Sequence, residues 1–339
     1  MQPTTTQTST AKSTLRLGFL GLGWIGRHRM ESLAELPEVQ ISALADPDPQ
    51  IMDELKPLYP HAEISDNLPD LLAQDLDGIV IATPSALHAE QAVAALEAGK
   101  AVFCQKPLGR SAAETRGVVD TAARADRLLQ TDFSYRFTRG MQKIKNLIND
   151  GEIGNIYGIN LIFHNAYGPD KSWFYNRRQS GGGCVIDLGI HLVDLVLWTM
   201  DFPEVHAVCS SLFSKGKRLK AETEACEDYA EVQFSLSNEA VVRLACSWGL
   251  PAGQEAVIEA SFYGSGGGLS FRNVNGSFYD FKVEHYDGTR RETLVEPPDD
   301  WGGRAALNWA NRLIKDPGYQ PDIEEAVQVA QVIDDIYGR

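Results

Sequence analysis

The feature that most constrains this chain is a short apolar run, Leu15 to Leu20 (LRLGFL), that leads directly into the turn GLGWIG, with glycines at 21, 23 and 26. Three glycines at that spacing arise easily by chance, so their context carries the argument. The apolar run suits a buried parallel strand. A helix is predicted from Ile25 to Leu36, and VQISALAD then gives a second strand ending at Asp46, twenty residues past Gly26. Strand, glycine turn, helix, strand and acid in that order form the dinucleotide-binding fingerprint. Gly21 permits the tight turn, Gly23 lets the backbone approach a pyrophosphate, and Gly26 allows close helix packing. With Trp24 and Ile25 between them, they open a helix whose free amides face the phosphates. Asp46 is placed to accept hydrogen bonds from the adenosine ribose and to repel a 2'-phosphate, which favours NAD over NADP.

The alternation continues through LDGIVIAT, a helix ALHAEQAVAALEAG stopped by Gly99, the strand KAVFCQ, the helix SAAETRGVVDTAARAD and the strand RLLQTDFSY. Repeated strand and helix units predict an α/β fold, a doubly wound parallel Rossmann sheet with ligands at the carboxyl ends of its strands. Thr83, Pro84, Gln105, Lys106 and Pro107 fall at such ends. From about Phe133 the pattern changes. A helix over Arg139 to Asn149 is followed by runs such as NIYGINLIFHNAY, DYAEVQFSL and AVIEASFYG, whose period of two predicts a C-terminal α+β domain with a large, mostly antiparallel open sheet. GSGGG, 264 to 268, has strand-like runs on both sides and no following helix, so it reads as a turn. The expected organisation is a disordered tail over 1–14, a cofactor domain over 15–132 and a substrate and oligomerisation domain over 133–303, with amphipathic helices over 304–339.

A formal charge of -15, from 46 acidic and 31 basic residues, argues against a nucleic-acid partner. Five scattered cysteines, 104, 184, 209, 226 and 246, fit reduced thiols in the cytoplasm better than a disulfide framework or zinc cage. The Thr-rich start lacks the apolar core of a signal peptide. The best membrane candidate, Leu192 to Met200, is short and contains Asp194, so no membrane association is expected. No metal site is expected either, for want of clustered ligands.

In combination, ATPSALHAE, AGKAVFCQKPL, DGEIGNIYGI and GGGCVIDLGIHLVDLVLW resemble the Gfo/Idh/MocA family of glucose-fructose oxidoreductase, inositol dehydrogenase and their relatives. The resemblance runs from about Leu15 to the C-terminus and weakens between Lys215 and Trp301. One departure concerns the Glu-Lys-Pro usual in the family, which here is Gln105-Lys106-Pro107 and lacks one negative charge beside the lysine.

Asp187 and His191 lie four apart in a segment that reads as helix, so they share a face. The resemblance implies that His191 is the acid/base, that Asp187 is its orienting or substrate-binding partner, and that Lys106 reaches in from the cofactor domain. Histidine suits the task because its pKa lies near neutrality. The resemblance also implies cofactor contacts at Thr83, Pro84, His88, Gln105 and Lys106, and an Arg136 near the cofactor and substrate cleft. Asp194 reads as structural. Tyr167, Lys171 and Trp173, with Asn165 and Tyr175, form either a carbohydrate-binding loop or simply an ordered one. The implied activity is NAD(P)-dependent hydride transfer at a secondary hydroxyl of a sugar, cyclitol or sugar derivative, in a homodimer or homotetramer. Two alternatives stay open: tightly held NAD used for transient oxidation that enables elimination or glycosidic cleavage, and a non-catalytic NAD-sensing regulator.

Overall fold

The computed structural model of the chain describes residues 14–220 and 224–339, so the tail expected at 1–14 lies, except for its last residue, outside them. Six strands, β1 (Leu15–Leu20), β2 (Val39–Ala45), β3 (Glu63–Ser65), β4 (Gly78–Ile81), β5 (Ala101–Cys104) and β6 (Leu129–Thr131), form one sheet in the order β3-β2-β1-β4-β5-β6. Every neighbouring pair is parallel. Helices α1 (Trp24–Ala34), α2 (Pro49–Leu55), α3 (Leu68–Leu72), α4 (Ser85–Glu97) and α5 (Ala112–Ala125) connect them.

The central strands read as unbroken apolar runs because both faces are covered. Ile79, Ile81, Val102 and Cys104 pack with residues of α4 and α5. Val80 and Phe103 pack on the other side with Met30 and Leu33 of α1 and with Trp309. The strand order runs outward in opposite directions from β1 and β4, which opens the binding crevice of a doubly wound sheet at their carboxyl ends.

A 3-10 turn, Ser134–Phe137, and α6 (Arg139–Asn149) lead into the second sheet. Its strands are β7 (Ile156–Asn165), β8 (Val205–Ser214), β9 (Lys217–Arg218), β10 (Tyr229–Leu236), β11 (Val241–Ser247), β12 (Ala256–Gly264), β13 (Gly267–Asn273), β14 (Phe281–Asp287) and β15 (Arg290–Val295). They are ordered β15-β14-β13-β12-β7-β11-β10-β8-β9, antiparallel throughout except for β7 beside β11. In β10, Ala230, Val232, Phe234 and Leu236 are buried while Glu231 and Gln233 are exposed, the alternation expected of a sheet with one covered face. The GSGGG segment is the hairpin turn between β12 and β13, with Gly264 opposite Gly267.

Between β7 and β8 the chain forms α7 (Arg177–Ser180), a π-helical turn at Val185–Gly189 and α8 (Ile190–Thr199). The helical stretch Arg177–Thr199 is, by length and composition, long enough to cross a membrane, but 89% of its most apolar window is buried inside the fold. The apolar segment expected around Leu192 to Met200 is the C-terminal part of this stretch, α8, and it belongs to the core. Two closing helices, α9 (Arg304–Lys315) and α10 (Glu324–Tyr337), return to the first domain. Trp309 of α9 is fully buried against Phe103 of β5, and α10 packs on α5, α8 and β8. One apolar core therefore runs from the Rossmann sheet through α8 into the second sheet.

Candidate active site

The glycine turn leaves β1 at Gly21, whose φ of +85° lies in the left-handed region open to glycine. A Cβ on Gly26 would lie 2.0 Å from the Gly21 carbonyl oxygen, so only glycine lets α1 sit this close to the turn. Gly23 is exposed, with open space where its side chain would be, and α1 starts there without a side-chain cap. Bare backbone and uncapped amides at a helix start are what a pyrophosphate requires.

Asp46, at the end of β2, accepts from Leu22 N at 2.6 Å through Oδ2 and from Asp48 N at 2.9 Å through Oδ1. Each oxygen keeps a further lone pair for a ribose hydroxyl. Trp24 stands 70% exposed beside the turn, with Ile25 half-buried behind it. These residues fit a dinucleotide. At the end of β4, Thr83 Oγ1 donates to Gln91 Oε1 at 2.6 Å, and the exposed Pro84 starts α4.

His88 requires a correction. It is buried, with Nδ1 2.7 Å from the Pro107 carbonyl and Nε2 2.6 Å from the Thr83 carbonyl. Both ring nitrogens are engaged by backbone, so His88 braces the two strand-end turns together and does not itself reach a ligand.

Lys106, at the end of β5, crosses to the second domain. Its Nζ donates to Asp187 Oδ1 at 2.8 Å and to the Asp187 carbonyl at 2.7 Å. Asp187 lies inside the π-helical turn, and its other oxygen, Oδ2, accepts from Trp248 Nε1 at 3.1 Å. That wide turn is of a kind that recurs at functional sites, and it joins directly onto α8, which carries His191. Within the fold Asp187 orients Lys106.

His191 opens α8 with its ring 5.0 Å from that of Tyr135 and 6.4 Å from that of Phe163. Its Nδ1 is buried and has no hydrogen-bond partner among the described residues. Burial, and then the positive charges of Lys106 and Arg29, hold the imidazole well below the usual histidine range, so it is neutral at pH 7.

Arg136 also requires a correction. Its guanidinium bonds both oxygens of Asp194, at 2.5 to 3.0 Å, and Glu325 of α10 at 2.5 Å. It joins α8 to α10, and Asp194 serves as its structural partner. In the aromatic loop, Lys171 is exposed beside Asp170 at 3.4 Å, and Trp173 stacks on Phe174 at 3.8 Å. Tyr167 is 52% exposed, 6.1 Å from Phe278. Tyr175 approaches Trp248 at 5.5 Å and so borders Asp187. On the His191 side, Tyr135 packs against Trp301 at 4.9 Å.

Comparison with known proteins follows the same outline. Residues 15–133 match the oxidoreductase family with an NAD-binding Rossmann fold, and residues 141–270 match the GFO/IDH/MocA C-terminal domain. The chain belongs to the Gfo/Idh/MocA family. It is 27% identical over 270 residues to D-glucoside 3-dehydrogenase of Escherichia coli K12, covering 76% of this chain and 77% of that protein. Two solved structures share the fold. KijD10, a 3-ketoreductase from Actinomadura kijaniata in complex with NADP and TDP-benzene, superposes with a TM-score of 0.82 at 18% identity over 95% of this chain and 97% of its own. Levoglucosan dehydrogenase in complex with NADH and levoglucosan gives 0.80 at 21% identity over 95% and 96%. The chain is an NAD(P)-binding oxidoreductase.

Several residues that shape this Gfo/Idh/MocA site escaped sequence reasoning. Trp248 follows β11, far from Asp187 in sequence, and carries no motif. Glu227, just before β10, is 2% exposed, and its Oε1 accepts from Gly183 N and Val185 N at 2.9 Å each and from Tyr337 OH at 2.7 Å. The Glu227 carbonyl accepts from Cys184 N at 2.9 Å, and the Asp228 carbonyl accepts from Trp248 N at 2.7 Å. Residues 227 and 228 thus tie both the π-helical turn and Trp248, the two elements that hold Asp187. A single buried acid in a weakly patterned stretch gives no local signal of this.

Proposed function

We propose that the chain is a dehydrogenase that moves a hydride between a nicotinamide cofactor and a secondary hydroxyl of a sugar, cyclitol or sugar derivative. The observation that carries this reading is the pairing of Lys106, from the cofactor domain, with Asp187, from the second domain, at 2.8 Å beside a neutral His191. When bound, the nicotinamide supplies the hydride acceptor or donor. His191 Nε2 takes the hydroxyl proton, because a neutral imidazole is the base form. The Lys106 ammonium stabilises the alkoxide oxygen as it develops. Asp187, fixed by Trp248, holds that ammonium in place and offers its carboxylate to a neighbouring substrate hydroxyl. The exposed ring of Tyr175, backed by Trp248, offers a flat apolar surface that suits a pyranose or cyclitol ring.

NAD is favoured over NADP because the Asp46 carboxylate at the end of β2 repels a 2'-phosphate. The names of the E. coli D-glucoside 3-dehydrogenase and of levoglucosan dehydrogenase support a carbohydrate substrate. A homodimer or homotetramer formed through the outer face of the nine-stranded sheet, where Tyr157 and Val241 stand exposed, and a cytoplasmic location complete the proposal. The test is a panel of sugars, sugar acids and cyclitols with NAD and NADP, followed at the nicotinamide absorbance. Reduction of NAD by at least one polyol supports the reading. Dinucleotide binding with no turnover on the whole panel removes it.

A further inference from the structure

The glutamine that replaces the family's usual glutamate before the lysine is not left without a charged neighbour. Gln105, at the carboxyl end of β5, donates from Nε2 to Asp132 Oδ2, just past the end of β6. The same oxygen accepts from Arg29 Nε of α1 at 2.7 Å. All three side chains are buried, Gln105 at 8% exposure, Arg29 at 4% and Asp132 at 1%. They join the helix of the glycine turn to two adjacent strand ends on the cofactor edge of the sheet. The charge of Arg29 is also one of the causes, after burial and Lys106, that lower the pKa of His191.

A carboxylate is an acceptor only. Facing Asp132, a carboxamide must therefore turn its nitrogen inward and keep its oxygen as the acceptor on the other side. A glutamate at this position would instead set two carboxylates at hydrogen-bond distance, where both cannot ionise at neutral pH without a large penalty. The acid therefore belongs on one member of the pair.

We propose that Gln105 and Asp132 are a matched pair: Asp132, anchored by Arg29, is a positioning residue that fixes the Gln105 carboxamide with its oxygen presented to hydrogen-bond donors of the nicotinamide half of the dinucleotide. This rests on the reading of the crevice as a dinucleotide site. A negative charge lies instead at the next strand end, on Asp132, and the amide keeps an acceptor through its oxygen.

The test is a cycle of four proteins, wild type, Gln105→Glu, Asp132→Asn and the double variant, with the NAD Kd measured by calorimetry across pH and folding checked by thermal melting. Each single variant is expected to weaken NAD by about tenfold or more, the scale of one disrupted hydrogen bond to a charged group. The Gln105→Glu loss shrinks as pH falls, because protonating one carboxyl relieves the repulsion, a response that a packing defect does not give. The double variant restores one carboxylate, one amide and the counter-charge of Arg29, and it recovers most of the affinity. If Asp132→Asn alone does not fold, the recovery from Gln105→Glu to the double variant still decides the matter. Gln105→Glu with wild-type affinity at all pH values, or losses that simply add in the double variant, overturns the pairing. A wild-type protein with no affinity for either dinucleotide overturns the functional reading beneath it, an outcome distinct from both.

Discussion

Replacing Lys106 by methionine keeps the length and apolar stem of the side chain and removes only the ammonium. In the fold that ammonium makes two hydrogen bonds to Asp187, at 2.7 and 2.8 Å, in a site where the two side chains are 17% and 15% exposed. A preorganised donor aimed at developing negative charge in such a setting contributes about 10²–10³-fold to kcat, or about 2.7–4 kcal/mol. The same charge also acts on His191. Burial is the first cause of its lowered pKa, Lys106 the second and Arg29 the third. Removing the second cause raises the His191 pKa, while burial and Arg29 still keep it below the ordinary value of 6.5. Lys106→Met is therefore expected to lower kcat by about two to three orders of magnitude and to shift the acid limb of kcat/KM for alcohol oxidation to higher pH. NAD affinity by calorimetry should survive. Near wild-type kcat, or an acid limb that stays in place or moves to lower pH, would refute the roles given to both residues.

Gly26→Ala forces a Cβ to within 2.0 Å of the Gly21 carbonyl oxygen, so calorimetry should show NAD affinity lost. Tyr337→Phe removes the hydroxyl that donates to Glu227 at 2.7 Å, and urea unfolding should show a loss of about 1.5–3 kcal/mol, typical of a hydrogen bond to a charged group. Because the folded protein holds His191 below its unfolded pKa, the unfolded chain binds more protons in the window beneath pH 6.5. The contribution of His191 to stability is thus full above that pH and lost as pH falls through the window. His191→Gln should flatten this dependence in denaturant midpoints.

The first domain was legible because its signals are local. A strand, a glycine turn, a helix and an acid lie within thirty-two residues, Leu15 to Asp46, and backbone sterics allow little else at Gly21 and Gly26. The alternation in β10 likewise exposed the second sheet, since one face is covered and the other is not. What stayed hidden depends on contacts far apart in sequence. Spacing put Asp187 and His191 on one helical face, but it could not show that Asp187 also bonds Lys106 and Trp248, which follows β11. Arg136 looked like a cleft residue because a motif cannot show that Asp194 and Glu325 surround it. His88 sits where the resemblance puts it, yet two carbonyls occupy its ring. Glu227 was invisible for the same reason: an acid's role here is set by the backbone amides that the fold brings to it.

The central claim is that one chain brings a dinucleotide, a lysine and a neutral histidine to the same secondary hydroxyl. Single-turnover reduction of NAD by the best polyol of the panel, compared at neutral pH between wild type and His191→Ala at equal cofactor saturation, tests it most directly. The account predicts a fast absorbance rise in the wild type and a loss of about 10²–10⁴-fold in the variant, the scale of a general base. Equal rates in the two proteins would contradict it.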